Sequence, residues 1–204
     1  MTDRLPANVE GLRQATGILR DGGLVAFPTD TVYGVGCAVA RPEAVAALFA
    51  LKRRPIDRRI PILVGGLEGV APDAWDVDDR AAALAKAFWP GALTLVLPSR
   101  DTGRSQAFRA PDHPVALALI EAAGPLYVTS ANVSDEPETL DADDVLIAFA
   151  TQADALAAVV DGGRVAGGTA STVLDLTVAP AKVLREGPIG RDALAPILDL
   201  QHVD

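Results

Sequence analysis

The sequence predicts an α/β domain built on a twisted mixed sheet with helices packed against it. Three observations carry that expectation. Short apolar runs bounded by Gly, Pro and polar loops alternate with segments of helical periodicity. Some neighbouring runs are joined by only a few residues, as across Thr177 to Ala181, and connections that short require antiparallel pairs within the sheet. The chain has 204 residues, half of them hydrophobic, which suits one sizeable core, and no repeat or linker divides it. A single domain over residues 1–204 is therefore expected.

The elements follow in order. Leu12, Ala15, Ile18 and Leu19 recur at helical spacing, and Asp21-Gly22-Gly23 stops that helix. Leu24 to Phe27 is a short buried strand that delivers Pro28-Thr29-Asp30-Thr31 into a loop. Val32 to Cys37 is a second extended stretch. Pro42 suits a first helical position and Glu43 the first turn; Val45, Leu48 and Phe49 give this helix its core face, and Pro55 ends it. Ile60 to Val64 reads as a strand that Pro61 pushes to a sheet edge or a bulge. Asp78 caps a helix running to Phe88, Trp89-Pro90-Gly91 turns the chain, and Leu93 to Leu97 is a strand. Residues 99–105 read as a polar loop and Ala107 to Arg109 as a strand. Val115 to Ala122 is a helix stopped by Gly124-Pro125. Leu126 to Thr129 is a strand with Ser130-Ala131-Asn132 at its end. A helix is expected over Ala142 to Ala150, strands over Ser171 to Leu176 and Lys182 to Arg185, and a short helix from Asp192.

Composition excludes several function classes. The net charge is −9, whereas tight duplex binders present a broad basic face. One island departs from the acidic background: Lys52, Arg53, Arg54, Arg58 and Arg59 oppose only Asp57, a net of +4, and the rest of the chain stands at −13. A compact cationic island on an acidic chain suits a small polyanion such as a nucleoside triphosphate. The single cysteine, Cys37, cannot form an intrachain disulfide and fits a reducing compartment. The N-terminus lacks the plan of a signal peptide, and charges, Gly or Pro interrupt every apolar stretch short of a membrane span. A soluble, cytoplasmic protein is expected.

The familiar nucleotide devices are missing. The lysines are Lys52, Lys86 and Lys182, and none follows a Gly as a Walker-type loop requires. Gly34-Val35-Gly36 lacks the third glycine of a dinucleotide fingerprint. His113 and His202 with one Cys make no zinc motif, and no G-x-S-x-G elbow is present. His113, between Pro111 and Pro114, reads as structural.

Four segments instead put hydroxyls, an amide or guanidinium groups where strands and helices end: Pro28 to Gly34; Lys52-Arg53-Arg54-Pro55; Ser130-Ala131-Asn132-Val133-Ser134; and Ser171 to Asp175 with Leu184 to Gly187. Ligand sites in α/β folds gather at such edges. Cations and hydroxyls hold phosphates, and a fork-shaped Arg beside hydroxyls holds a carboxylate. Singly, each segment also has a plain structural reading: Lys52 to Arg54 as cations at a helix C-terminus, and Ser130, Asn132 and Thr29-Asp30-Thr31 as turn residues.

With Trp89 to Val96 and Arg109 to Pro114, these segments resemble, in order, the motifs of the YrdC family of threonylcarbamoyl-AMP synthases. The resemblance runs from about Gly23 to Gly187, within a motif-bearing core of about 8–190. It implies a YrdC-like mixed sheet with an open, concave nucleotide-binding hollow, without the C-terminal domain of longer members. It also implies an enzyme that joins L-threonine, bicarbonate and ATP into threonylcarbamoyl-AMP, releasing pyrophosphate, for modification of adenosine 37 in tRNA. The family's Lys-x-Arg and Ser-x-Asn motifs correspond to Lys52 and Arg54, the two residues assigned to catalysis, and to Ser130 and Asn132. ATP contacts are implied for Lys52, Arg54, Arg58, Ser105, Asn132 and Arg185. L-threonine contacts are implied for Thr31, Arg109, Ser130 and Ser171. Mg²⁺ is expected to accompany ATP, with no dedicated protein metal site. Partners would be tRNA-modifying threonylcarbamoyltransferase machinery and, weakly, RNA. The chain departs from the family at Leu63, where some members carry His, at Asp135 in place of Gly, at Arg59 in place of Pro, and at Ala170. The rival readings are a related carbamoyltransferase that makes a carbamoyl-adenylate, a non-catalytic RNA-binding module, and a sugar-phosphate enzyme of similar fold. The last needs clustered acidic metal ligands that the motifs lack.

Overall fold

The structure, a computed structural model, describes residues 1–53, 60–71, 73–134 and 136–198. Ten strands among them form one mixed sheet. They are β1 (Asp3–Pro6), β2 (Val25–Pro28), β3 (Tyr33–Ala38), β4 (Ile62–Leu63), β5 (Leu93–Pro98), β6 (Ser105–Arg109), β7 (Leu126–Ser130), β8 (Ala158–Asp161), β9 (Thr172–Asp175) and β10 (Lys182–Arg185), in the spatial order β1-β8-β2-β3-β7-β4-β6-β5-β9-β10. The helices are α1 (Val9–Arg20), α2 (Pro42–Lys52), α3 (Asp79–Phe88), α4 (Pro114–Ala123), α5 (Ala142–Ala148) and α6 (Arg191–Leu194).

Local chemistry sets the helix ends. The Asn8, Asp78 and Asp141 side chains accept backbone N–H groups at the starts of α1, α3 and α5, relieving donors that have no partner inside the helix. Pro42 opens α2 at a position whose N–H would go unused. His113, expected to be structural, caps α4 by accepting from Val115 N at 3.3 Å. Burial chiefly holds its pKa below the usual histidine value, against the pull of Asp30 and Asp112.

The two halves of the sheet are covered differently. At the β8-β2-β3 end, alternate residues feed opposite layers. Ala26, Tyr33, Val35 and Cys37 join Ala44, Leu48 and Leu51 of α2 and Val145 of α5. Val25, Phe27 and Val160 join Leu19 of α1 and Leu119 of α4. In the other half, Leu93, Leu95 and Leu97 of β5 pack with Leu84 of α3, Leu174 of β9 and Leu194 of α6. The intervening Thr94 and Val96 turn to the opposite face, where they line a cavity. The period-2 alternation of a strand thus gives one face to the core and leaves the other for a ligand.

Several sequence expectations need correction. The strand around Pro61 is not at an edge: β4 pairs with both β6 and β7. Pro61 precedes the two paired residues, so its missing N–H costs no ladder bond, and its carbonyl accepts from Val128 N at 3.0 Å. Ser105 is not in a loop; it opens β6, opposite Pro98. The expected 142–150 helix ends at Ala148, and a 3₁₀ turn follows over Ala150–Gln152. Strands β1 and β8, paired in parallel, were not expected from the sequence. Pro55 lies outside the described residues.

Candidate active site

A cavity of about 420 Å³ opens on the β6-β5-β9 face and is walled by the loop after β2, the end of β7 and β10. Thr31, Ser105, Arg109, Ser130, Ser171 and Arg185 all line it, as do Thr94 and Asp175. Strand register orders them. Thr94 lies opposite Val173, Val96 opposite both Ala107 and Asp175, and Pro98 opposite Ser105. One end of the cavity therefore carries Thr31, Arg109, Thr94 and Ser171. The other end carries Ser105 and Asp175.

At the first end the polar groups are closely bonded. Arg109 is only 6% exposed. Its Nε donates to Gly91 O at 2.9 Å, Nη1 to Thr31 Oγ1 at 3.0 Å and Nη2 to Asp30 Oδ1 at 2.5 Å. Burial draws its pKa below the ordinary arginine value; Asp30 opposes that fall, and Arg185 adds to it. A guanidinium has five N–H donors, so one hydrogen on each Nη remains for a ligand. Thr29 Oγ1 donates to Val32 O at 2.7 Å and lies 3.1 Å from Thr31 Oγ1. With the Thr29 proton committed, Thr31 donates to Thr29, so toward the cavity Thr31 offers only an acceptor. The backbone here is held from behind: Gly168 N donates to Thr31 O at 2.8 Å. A Cβ at Gly167 would sit 1.9 Å from that same oxygen, so only Gly fits.

Across the cavity, Ser171 Oγ lies 2.8 Å from Thr94 Oγ1. Arg185 Nε donates to Ser171 O at 2.9 Å and Nη2 to Ser171 Oγ at 3.2 Å. Arg185 lies on β10, the last strand of the sheet, and its residue is exposed. Partial burial of the guanidinium still lowers its pKa, against the attraction of Glu138.

The Ser130 turn is braced from below by Lys52. That side chain is 2% exposed, and its ammonium donates to Ser130 O at 2.7 Å, to Asn132 Oδ1 at 2.8 Å and to Asn132 O. Ser130 Oγ donates to Asn132 Oδ1 at 2.7 Å, and Asn132 Nδ2 donates to Glu136 O at 2.5 Å. Lys52 and Asn132 thus meet Ser130 as the sequence motifs lead one to expect, but they sit behind it and not in the cavity lining. Arg54, Arg58, Arg59 and Asp135 lie outside the described residues. Thr94, Asp30 and Asp175 were not singled out by sequence. Asp30, Thr94 and Asp175 lie within the motif-bearing segments Pro28 to Gly34, Trp89 to Val96 and Ser171 to Asp175, but none of the three carried a role of its own. Among the described residues no three His, Cys, Asp or Glu side chains gather as metal ligands, and no helix is long and apolar enough to cross a membrane.

Comparison with known proteins identifies relatives of the chain and of its fold. A family model named Sua5/YciO/YrdC, described as "Telomere recombination", matches residues 17–187. A relative from Mycobacterium tuberculosis (strain ATCC 25618 / H37Rv) is 38% identical over 196 residues, which span 92% of this chain and 89% of its own. A Bacillus subtilis (strain 168) protein named threonylcarbamoyl-AMP synthase is 36% identical over 215 residues; the match covers all of this chain and 61% of that protein. A crystal structure of P. abyssi Sua5 complexed with L-threonine superposes with a TM-score of 0.88 at 33% identity, covering 98% of this chain and 62% of that one.

Proposed function

The chain belongs to the Sua5/YciO/YrdC family, and on that premise we propose that it condenses L-threonine, bicarbonate and ATP into threonylcarbamoyl-AMP with release of pyrophosphate. The observation that carries this reading is the meeting of Thr31, Arg109, Ser171 and Arg185 in one cavity. It offers carboxylate-binding donors at one end and a second guanidinium beside the same serine.

In the reaction, the threonine amine adds to bicarbonate and loses water to give a carbamate. A carbamate oxygen then attacks the α-phosphorus of ATP, forming the acyl-phosphate link as the bond to pyrophosphate breaks. No covalent enzyme intermediate is needed, so the protein's work is positioning and charge stabilisation. Arg109 takes the threonine carboxylate through its two uncommitted N–H groups. Thr31 accepts from the amine or the hydroxyl, and Ser171 and Ser130 fix the substrate between them. Arg185 faces the adenylate, with Ser105 at the far end of the cavity. Arg54 and Arg58 supply the cations for the triphosphate, and Lys52 with Asn132 sets the Ser130 turn against it. Magnesium would accompany ATP, held by no cluster of carboxylates among the described residues, and would offset phosphate charge. The product passes to the machinery that modifies adenosine 37 of tRNA, in the cytoplasm.

The test is a pyrophosphate-release assay with each of the twenty amino acids, with and without bicarbonate. Release that needs both threonine and bicarbonate is expected. Release that needs neither, or none with any amino acid, would refute the reading.

A further inference from the structure

Three bonds pin the Arg109 guanidinium, to Gly91 O, Thr31 Oγ1 and Asp30 Oδ1. Only Asp30 brings a charge. Its oxygen is itself anchored, because Oδ1 also accepts from Asp112 N at 3.1 Å. Asp30 therefore ties together the loop after β2, the end of β6 and the turn before α4. Resting on the function proposed above, we propose that Asp30 is the positioning residue for the amino-acid carboxylate. It fixes the plane of Arg109 so that the two N–H groups left over face the cavity as a fork.

Two effects oppose each other here. A carboxylate already paired with Arg109 weakens the attraction that the guanidinium exerts on a second one. Against that, an unpaired guanidinium that is 6% exposed, with Arg185 as a like charge across the cavity, would not stay where it is. A planar donor fork recognises a carboxylate only when its orientation is fixed. Orientation outweighs competition in this account, because Asp30 occupies only one of the five donors and leaves the remaining pair free. The sign of the mutational effect separates the two: positioning predicts weaker threonine use without Asp30, and competition predicts tighter use.

The experiment measures pyrophosphate release against threonine and against ATP for the wild type, Asp30→Ala, Asp30→Asn, Arg109→Ala and the Asp30→Asn/Arg109→Ala double variant. Asp30→Ala is expected to raise the KM for threonine about ten- to a hundredfold, with the KM for ATP within about threefold. Asp30→Asn, which keeps a neutral oxygen acceptor, falls between it and the wild type, and carries the test if Asp30→Ala does not fold. The double variant is no worse than Arg109→Ala, because Asp30 acts through that residue. An unchanged or lower threonine KM in Asp30→Asn, or effects of the two substitutions that multiply, overturns the proposal. Should the wild type release no pyrophosphate with threonine, the function reading falls, and the positioning claim is read from the Arg109 Nε–H resonance, assigned by its loss in Arg109→Ala. A sharp, slowly exchanging signal in the wild type that broadens in Asp30→Asn supports it; identical signals overturn it.

Discussion

Arg109 and Arg185 face the same cavity from unlike stations in the sheet. Arg109 ends β6, an interior strand between β4 and β5, and its donors reach acceptors from the segments around Gly91, Thr31 and Asp30. Arg185 ends β10, the last strand, and both its recorded bonds go to one residue, Ser171. The first is built into the fold, whereas the second is laid against it. A buried charge with several partners cannot be removed without leaving a counter-charge stranded. An exposed one can be removed at little structural cost. The same chemical group therefore has two kinds of consequence.

Arg109→Ala carries the largest effect. It leaves Asp30 without its cation in a nearly buried setting, a change that typically costs about 3–5 kcal/mol. The midpoint of chemical unfolding is expected to fall markedly, and threonine-dependent turnover to drop by about a hundredfold or more, with ATP binding retained in the folded fraction. Denaturant titration alongside calorimetric binding of each substrate checks both parts. An unchanged unfolding midpoint would break the contrast between the two arginines.

Arg185→Ala is expected to reduce turnover by about ten- to a hundredfold, the scale of one charge-assisted hydrogen bond. Its unfolding midpoint should stay close to that of the wild type. Steady-state rates at saturating threonine and varied ATP, set beside the same denaturant titration, give the comparison.

Thr94→Val sharpens the contrast at Ser171, which Thr94 holds from one side and Arg185 from the other. The swap keeps the shape and loses a buried hydroxyl partner, worth about 1 kcal/mol. An increase of about fivefold in the threonine KM is expected from rate measurements, smaller than the loss of turnover expected for either arginine.

Cys37 supplies a control remote from the site, in the core between β3 and α2. Burial, with a smaller push from Glu43, raises its thiol from an ordinary value of 9.0 to about 11. A raised pKa means the folded state holds the proton where the unfolded state has lost it. Stability from this group is therefore complete below pH 9 and is lost as pH climbs toward 11. Thermal unfolding of the wild type and Cys37→Ala across pH 7–11 should show the wild type's advantage shrinking over that window, while the ratio of threonine to ATP use at neutral pH stays fixed.

The same contrast explains what could be read from the sequence. The Asp78 cap, the helix over Pro42–Lys52 and the β9–β10 hairpin announce themselves through local chemistry: an Asp before a helix, a Pro at a helix start, a short turn between apolar runs. Ser130, Ser171, Thr31 and Arg109 were legible because they stand in motifs at strand ends. Asp30 stood in a motif whose plain alternative was a turn, and its own role stayed hidden because its partner Arg109 lies far along the chain. Thr94 stood in the Trp89 to Val96 segment without a role for a related reason. Alternation shows that one face of β5 differs from the other, but not that the second face is the floor of a cavity. Lys52 was read as part of a cationic island gripping a nucleoside triphosphate, and the fold buries it beneath the Ser130 turn. Sequence shows which groups are available; only the pairing of distant strands shows which of them touch.

The most direct measurement of the division between the two arginines is calorimetric titration of L-threonine, without ATP, into the wild type, Arg109→Ala and Arg185→Ala. The account predicts that threonine affinity falls at least tenfold in Arg109→Ala, on the scale of one charge-assisted hydrogen bond, and stays within about threefold of the wild type in Arg185→Ala. Equal losses in the two variants, or a greater loss in Arg185→Ala, would contradict it.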